Sequence, residues 1–351
     1  MQPSPYALPD WNRVLGTPVA SGVIRTELED FRVEEIPLIT TAGEGNHLWL
    51  EIEKRNANTD WVAKQLAKLA CVPGRDVGYA GMKDRRGVTR QWFSIGLQEA
   101  GNDNWSAWEI PDARVIQACL HNRKLKRGAL RGNRFVIVVR DLEGPLDDLE
   151  DRLQQVEGQG VPNYFGLQRF GHSGRNVAQG ARWLQHGGRL PRHKKSIYIS
   201  AVRSFLFNGV LSSRVEMGNW NRIVDGEVAI LDGSHSSFFC DVPDGQLERR
   251  CAGFDIHPSG PLPGDGPDQV AGTCADIETA VLQPHAALIE RLARARVKAA
   301  RRSLRLLPKG MEWTQDGHDL ELKFELPAGG YATCVLRELV STGLDTISES
   351  K

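Results

Sequence analysis

Asn133-Arg-Phe-Val-Ile-Val-Val-Arg140 alternates so that Phe135, Ile137 and Val139 share one face, the pattern of a half-buried strand. Far along the chain, Asp319-Leu-Glu-Leu-Lys-Phe-Glu-Leu326 alternates just as strictly. Working outward, Phe31-Arg-Val-Glu-Glu35, His47-Leu-Trp-Leu-Glu-Ile-Glu53 and Arg90 to Leu97 read as further strands, while Gly74 to Gly87 reads as loop or short strand. Thr59 is the expected N-cap of a helix from Asp60 to about Ala70, with Val62, Leu66 and Leu69 along one side. Pro145 opens a short amphipathic helix ending near Gly158. Strands and helices do not alternate as regular βαβ units, so the expected class is α+β with an antiparallel sheet. The pattern leaves open whether the last strand joins the first ones.

Between these strand-rich ends the character changes. Helices are expected around Arg175 to Leu184, from Lys195 to Met217, and from about Pro284 to Leu306, where Leu288, Leu292, Ala295 and Ala299 line one side. Pro258 to Gly272 is rich in Gly and Pro and reads as an ordered loop or a linker. With 351 residues the chain suits two domains of ordinary size. No stretch approaches the roughly 20 apolar residues that cross a bilayer. Met1-Gln2-Pro3-Ser4-Pro5 lacks the look of a signal peptide, so a cytoplasmic address is expected. The six cysteines are scattered without a CxxC pair, which suits reduced thiols, and no metal site is expected.

Basic and acidic residues balance at 44 each, yet they are segregated. Ala113 to Arg140 carries eight cations and no acid; Arg291 to Lys309 carries another eight, again with no acid; a third block is Arg189-Leu-Pro-Arg-His-Lys-Lys195. One such block is an ordinary solvated face. Three in a neutral chain point to a polyanion gripped on a basic surface.

The densest cluster of unusual residues is Gly78-Tyr-Ala-Gly-Met-Lys-Asp-Arg-Arg-Gly-Val-Thr-Arg-Gln-Trp-Phe93. One carboxylate, Asp84, stands among Lys83, Arg85, Arg86 and Arg90, a setting that suits a nucleophile or base. An exposed charged turn would read the same way. The run from Gly78 to Gln91, however, resembles the catalytic motif of the TruD family of pseudouridine synthases. Leu130-Arg-Gly-Asn-Arg-Phe135 and Val161-Pro-Asn-Tyr-Phe-Gly-Leu-Gln-Arg-Phe-Gly171 are similar to two further family segments, in the family's order. Phe31-x-Val-x-Glu35 and Ala328-Gly-Gly-Tyr-Ala-Thr-Cys-Val-Leu-Arg-Glu338 also fit, so the resemblance spans almost the whole chain.

That resemblance implies a discontinuous catalytic domain, residues 1–158 plus 308–351, interrupted by an inserted domain at 159–307. It implies isomerisation of uridine to pseudouridine in tRNA, with uridine 13 of the D-arm the family's usual target and no cofactor required. Asp84 becomes the catalytic carboxylate, acting on the sugar as nucleophile or as base. Phe31, Asn133, Phe135 and Tyr331 become residues of the uracil pocket; the family more often has Phe where this chain has Tyr331. A flipped-out base needs a new stacking surface, which suits the aromatics. Phe135 would otherwise read as a core residue. The expected phosphate contacts are Lys83, Arg85, Arg123, Lys124, Lys126, Arg127, Arg131, Arg294, Arg301 and Arg302. Asn163 to Gly171 reads equally as packing or as RNA contact. The rival from another class is an RNA-binding or RNA-folding protein, which would not need the carboxylate.

Overall fold

The computed structural model describes residues 6–39, 42–97, 105, 108–234, 236–267 and 269–343. The segment read for a leader, residues 1–5, lies outside them.

The chain begins with β1 (Ser21–Ile24), β2 (Phe31–Pro37), β3 (His47–Arg55), α1 (Thr59–Leu69), β4 (Val77–Tyr79), β5 (Val88–Gly96), β6 (Ala113–His121) and β7 (Leu130–Glu143). There follow α2 (Leu146–Gln159), β8 (Val161–Pro162), α3 (Arg175–His186), α4 (Arg192–Glu216), β9 (Glu227–Leu231), β10 (Ser237–Cys240), α5 (Gly245–Ala252) and β11 (Ile256–His257). The last part holds β12 (Ser259–Leu262), α6 (Gly272–Leu282), α7 (Ala286–Arg294), β13 (Ala300–Ser303), β14 (Arg305–Leu306), β15 (Lys309–Asp316), β16 (Asp319–Pro327) and α8 (Ala332–Leu339).

Two compact units result. One joins residues 21–144 to 308–330; the other gathers the described residues of 1–20, 145–307 and 331–351. This grouping differs from the expected 1–158 plus 308–351 on both sides of the insertion. The reason is local: α2 packs on α8, and Arg152 on α2 donates to the carbonyls of Thr17 and Glu338.

The first unit is one sheet in the order β15-β16-β7-β2-β5-β3-β6, with β1 also on β7 and β4 also on β5. Every pairing is antiparallel except that of β2 with β5. The two alternating stretches are neighbours: Phe324 lies opposite Phe135, Leu322 opposite Ile137 and Leu320 opposite Val139. All six are buried, each contributing roughly 1.5–3 kcal/mol. Gly132 lets the strands close at their end, since a β-carbon there would sit 2.3 Å from the Leu326 carbonyl oxygen. A core of Leu48, Leu50, Ile52, Val62, Leu66 and Phe93 joins β3, β5 and α1.

The second unit is built on α4, which packs on α3, α6 and β12. Within it Arg214 is fully buried, its guanidinium 2.9 Å from the Glu227 carboxylate. Three local expectations change. Asn58, not Thr59, is the capping residue of α1, and Thr59 is buried inside. The helix expected to reach Leu306 stops at Arg294, because Arg296 adopts φ 55° and breaks the helical path. Residues 300–303 instead pair as a strand with Ser259–Leu262, so part of the Gly/Pro-rich stretch is sheet.

Candidate active site

Asp84 lies on the segment joining β4 to β5, which turns back as a hairpin because Tyr79 pairs with Phe93. Gly87 permits the return: its φ is 149°, and a β-carbon there would sit 2.4 Å from the Phe31 carbonyl oxygen. Three buried side chains hold the segment by its main chain. Gln91 donates to the Gly81 carbonyl at 3.1 Å. Thr59 accepts from the Lys83 N–H at 3.1 Å and donates to Gln91 Oε1 at 2.8 Å. Lys54, on β3, donates from Nζ to the Asp84 carbonyl at 2.7 Å.

Anchored in this way, the Asp84 side chain stays 31% exposed, and its Oδ1 lies 3.5 Å from a guanidinium nitrogen of Arg25. The Arg25 guanidinium also sits 3.9 Å above the Phe31 ring centroid, a cation–π contact. Phe31 meets Phe135 edge-on at 6.3 Å, and Phe135 stacks on Phe324 at 5.6 Å. Asp84, Phe31 and Phe135 are therefore brought together, although both aromatics are nearly buried in the sheet face. Asn133 stands on the same strand face as Phe135 and opposite Glu35 of β2. Its side-chain Oδ1 is buried with no hydrogen-bond partner among the described residues, which suits an acceptor awaiting a donor from a ligand. Tyr331 belongs to the other unit, where its hydroxyl accepts a hydrogen bond from Arg169 at 2.9 Å.

The cations divide sharply. Lys83 is buried against Glu35, Nζ to Oε2 2.7 Å, so it is an internal ion pair rather than a phosphate contact. Arg301 is likewise internal, paired with the buried Glu278. Arg302 packs over the Phe165 ring at 4.3 Å and donates to Asn163 Oδ1; burial pushes it down to about 10. Arg294 pairs with Glu290 one turn away. Arg127 is exposed but lies over Tyr79 and bonds its hydroxyl, and Lys124 bonds the Arg75 carbonyl. Arg85, Arg123, Lys126 and Arg131 are exposed, with no ion pair to any described acid. Within Asn163–Gly171, Asn163, Tyr164, Phe165 and Phe170 are buried, and Asn208 bonds both the N–H and the carbonyl of Phe165, so packing dominates.

Sequence reading passed over Arg25 and Lys54, and gave Thr59 and Gln91 no part in holding the Asp84 segment. For Lys54 a signal exists: it continues the inward phase of Leu48, Leu50 and Ile52 on β3, where an apolar residue is expected. A cavity of about 380 Å³ lies in the other unit, bordered by Val228, Ile230, Pro261 and Leu262; of the candidate site residues only Arg301 borders it.

A carboxylate on a loop of a largely antiparallel sheet, its main chain anchored and its side chain flanked by a guanidinium and stacked aromatics, is a place where a nucleophile or base can meet a flat ring. The fold is that of a crystal structure from Methanosarcina mazei described as tRNA pseudouridine synthase D (TruD): TM-score 0.73, 24% identity, 95% of this chain and 97% of that one. The family described as tRNA pseudouridine synthase D (TruD) matches residues 12–186 and 175–339. The tRNA pseudouridine synthase D of Methylococcus capsulatus is 46% identical, covering 94% of each chain. That of Hydrogenovibrio crunogenus is 42% identical over 98% of this chain and 99% of its own. The chain belongs to the TruD family of tRNA pseudouridine synthases.

Proposed function

We propose that the chain converts uridine 13 in the D-arm of tRNA to pseudouridine, with Asp84 as the catalytic carboxylate. As a member of its family it is an isomerase acting on tRNA uridine. The reaction breaks the N-glycosidic bond, turns the uracil and rejoins it through carbon 5, so atoms are conserved and no redox partner is consumed. Asp84 meets the ribose as nucleophile or base, while Arg25 compensates its charge. Phe31 and Phe135 offer rings to the flipped-out base, and Asn133 offers an unmatched acceptor. Tyr331, in the other unit, is assigned to substrate binding by its motif alone. Arg85, Arg123, Lys126 and Arg131 are the exposed cations for the phosphate backbone. The order of the chain, with 159–307 between the two passages that build the Asp84 unit, suits an inserted domain.

The observation that carries the reading is the anchoring of the Asp84 segment at three main-chain points beside Arg25 and the aromatics. Unmodified tRNA transcripts are the test, with wild type and Asp84→Asn compared for pseudouridine and for binding. Wild type is expected to modify position 13; Asp84→Asn is expected to bind tRNA normally and form no product. An active Asp84→Asn chain removes the carboxylate from the mechanism, and product at another uridine removes the position assignment.

A further inference from the structure

We propose that Lys54 is a positioning residue for Asp84: its ammonium group, enclosed at the end of β3, grips the Asp84 main chain and fixes where the carboxylate points. The inference rests on the reading of Asp84 as the catalytic carboxylate.

Lysine is among the residues least often fully buried, and removing its cation from water is costly. Lys54 is nonetheless completely enclosed, on the same strand face as the apolar Leu48, Leu50 and Ile52. Burial pushes its amine down to about 8; the Asp84 charge resists that fall and Lys83 adds to it. Packing would be served better by an apolar side chain, so the lysine requires another account.

Its hydrogen bond supplies one. The charged donor reaches the Asp84 carbonyl at 2.7 Å, and a charge-assisted bond is about twice as strong as a neutral one. The neighbouring cations have different tasks: Arg25 faces the Asp84 carboxylate and Lys83 is matched to Glu35. Gln91 and Thr59 hold the segment earlier, at Gly81 and Lys83, whereas Lys54 holds residue 84 itself. The carboxylate hangs from a backbone fixed one residue deep, which is how a reacting group is kept in register.

Lys54→Met, Lys54→Gln, Asp84→Asn and wild type would be compared in single-turnover pseudouridine formation on saturating tRNA transcripts, alongside tRNA binding and thermal melting. Met removes the donor, and Gln is too short to reach. The expected result is a rate loss on the order of a hundredfold in Lys54→Met, with Kd within about twofold and melting no more than about 5 °C below wild type. If Lys54→Met does not fold, Lys54→Gln is judged in the same way. A rate within about tenfold of wild type overturns the proposal. So does a loss that tracks weakened binding or melting, or a failure of both variants to fold, since each marks a merely structural lysine. Asp84→Asn separates the two readings: if it is active the catalytic assignment falls, and if it is inactive while the Lys54 variants are unimpaired, only Lys54 does.

Discussion

Burying the Lys54 ammonium group opposes folding, because the cation loses water and its close partner is a carbonyl oxygen. The charges around it are Asp84 and Lys83 on the same segment, Arg25 beyond the Asp84 carboxylate, and Glu35 of β2 behind Lys83. Its amine falls from the ordinary 10.5 to about 8 in the folded chain. Between those values the unfolded chain holds more protons, so this group makes stability rise with pH across that window. Below about 8 both states are protonated and the penalty is present in full, on the order of 3 kcal/mol. Denaturant unfolding of wild type and Lys54→Met at pH 7 and at about pH 9.5 measures this. The variant's stability relative to wild type is expected to be higher at pH 7 and to shrink towards pH 9.5; an equal difference at both would show that Lys54 titrates normally. The motif around Asp84 pointed to the carboxylate, yet not to what holds it. Gln91 and Thr59 act through main-chain contacts that no spacing rule announces, and a strand pattern counts Lys54 as the point where the apolar run ends.

At the scale of elements, two basic stretches that look alike in sequence face opposite ways. The segment joining β6 to β7 exposes Arg123 and Lys126, and Arg131 follows at the start of β7. On β13, by contrast, Arg301 and Arg302 point into the unit, against Glu278 and Phe165. Lys126→Ala with Arg131→Ala is expected to leave melting unchanged and weaken tRNA binding, lowering the slope of log affinity against log salt by about 1 per cation removed. Arg301→Ala strands the buried Glu278 carboxylate and is expected to cost about 3–5 kcal/mol of stability. Equal melting of both variants would contradict this division. Residues 284–306 show why the sequence misleads here. Leu288 and Leu292 keep helical spacing and are buried, but the left-handed turn at Arg296 converts the rest to a strand. A positively charged face on a helix and a row of inward arginines on a strand have the same composition, and only pairing with β12 tells them apart. Where alternation was strict, as in β7 and β16, element and buried face were both legible.

For the whole molecule, the sheet bearing Asp84 is assembled from two distant passages of one chain, residues 21–144 and 308–330. Joining them closes a long loop, and the entropy of that closure grows only slowly with its length. Sequence periodicity described both passages but said nothing of their partnership, since pairing is decided by matching faces such as Phe135 against Phe324. The consequence reaches into biosynthesis. As the polypeptide leaves the ribosome, β7 is made long before β16, and until β16 arrives the hydrogen-bonding edge it will occupy is unfilled. Nascent chains halted after residue 307 should therefore expose a long apolar edge, aggregate, and be held by chaperones; if they stay monomeric and protease-resistant, β7 has found another cover. Maturation of the enzyme would wait on β15 and β16, so that Asp84, translated early, gains its complete platform only after residue 327 has been made.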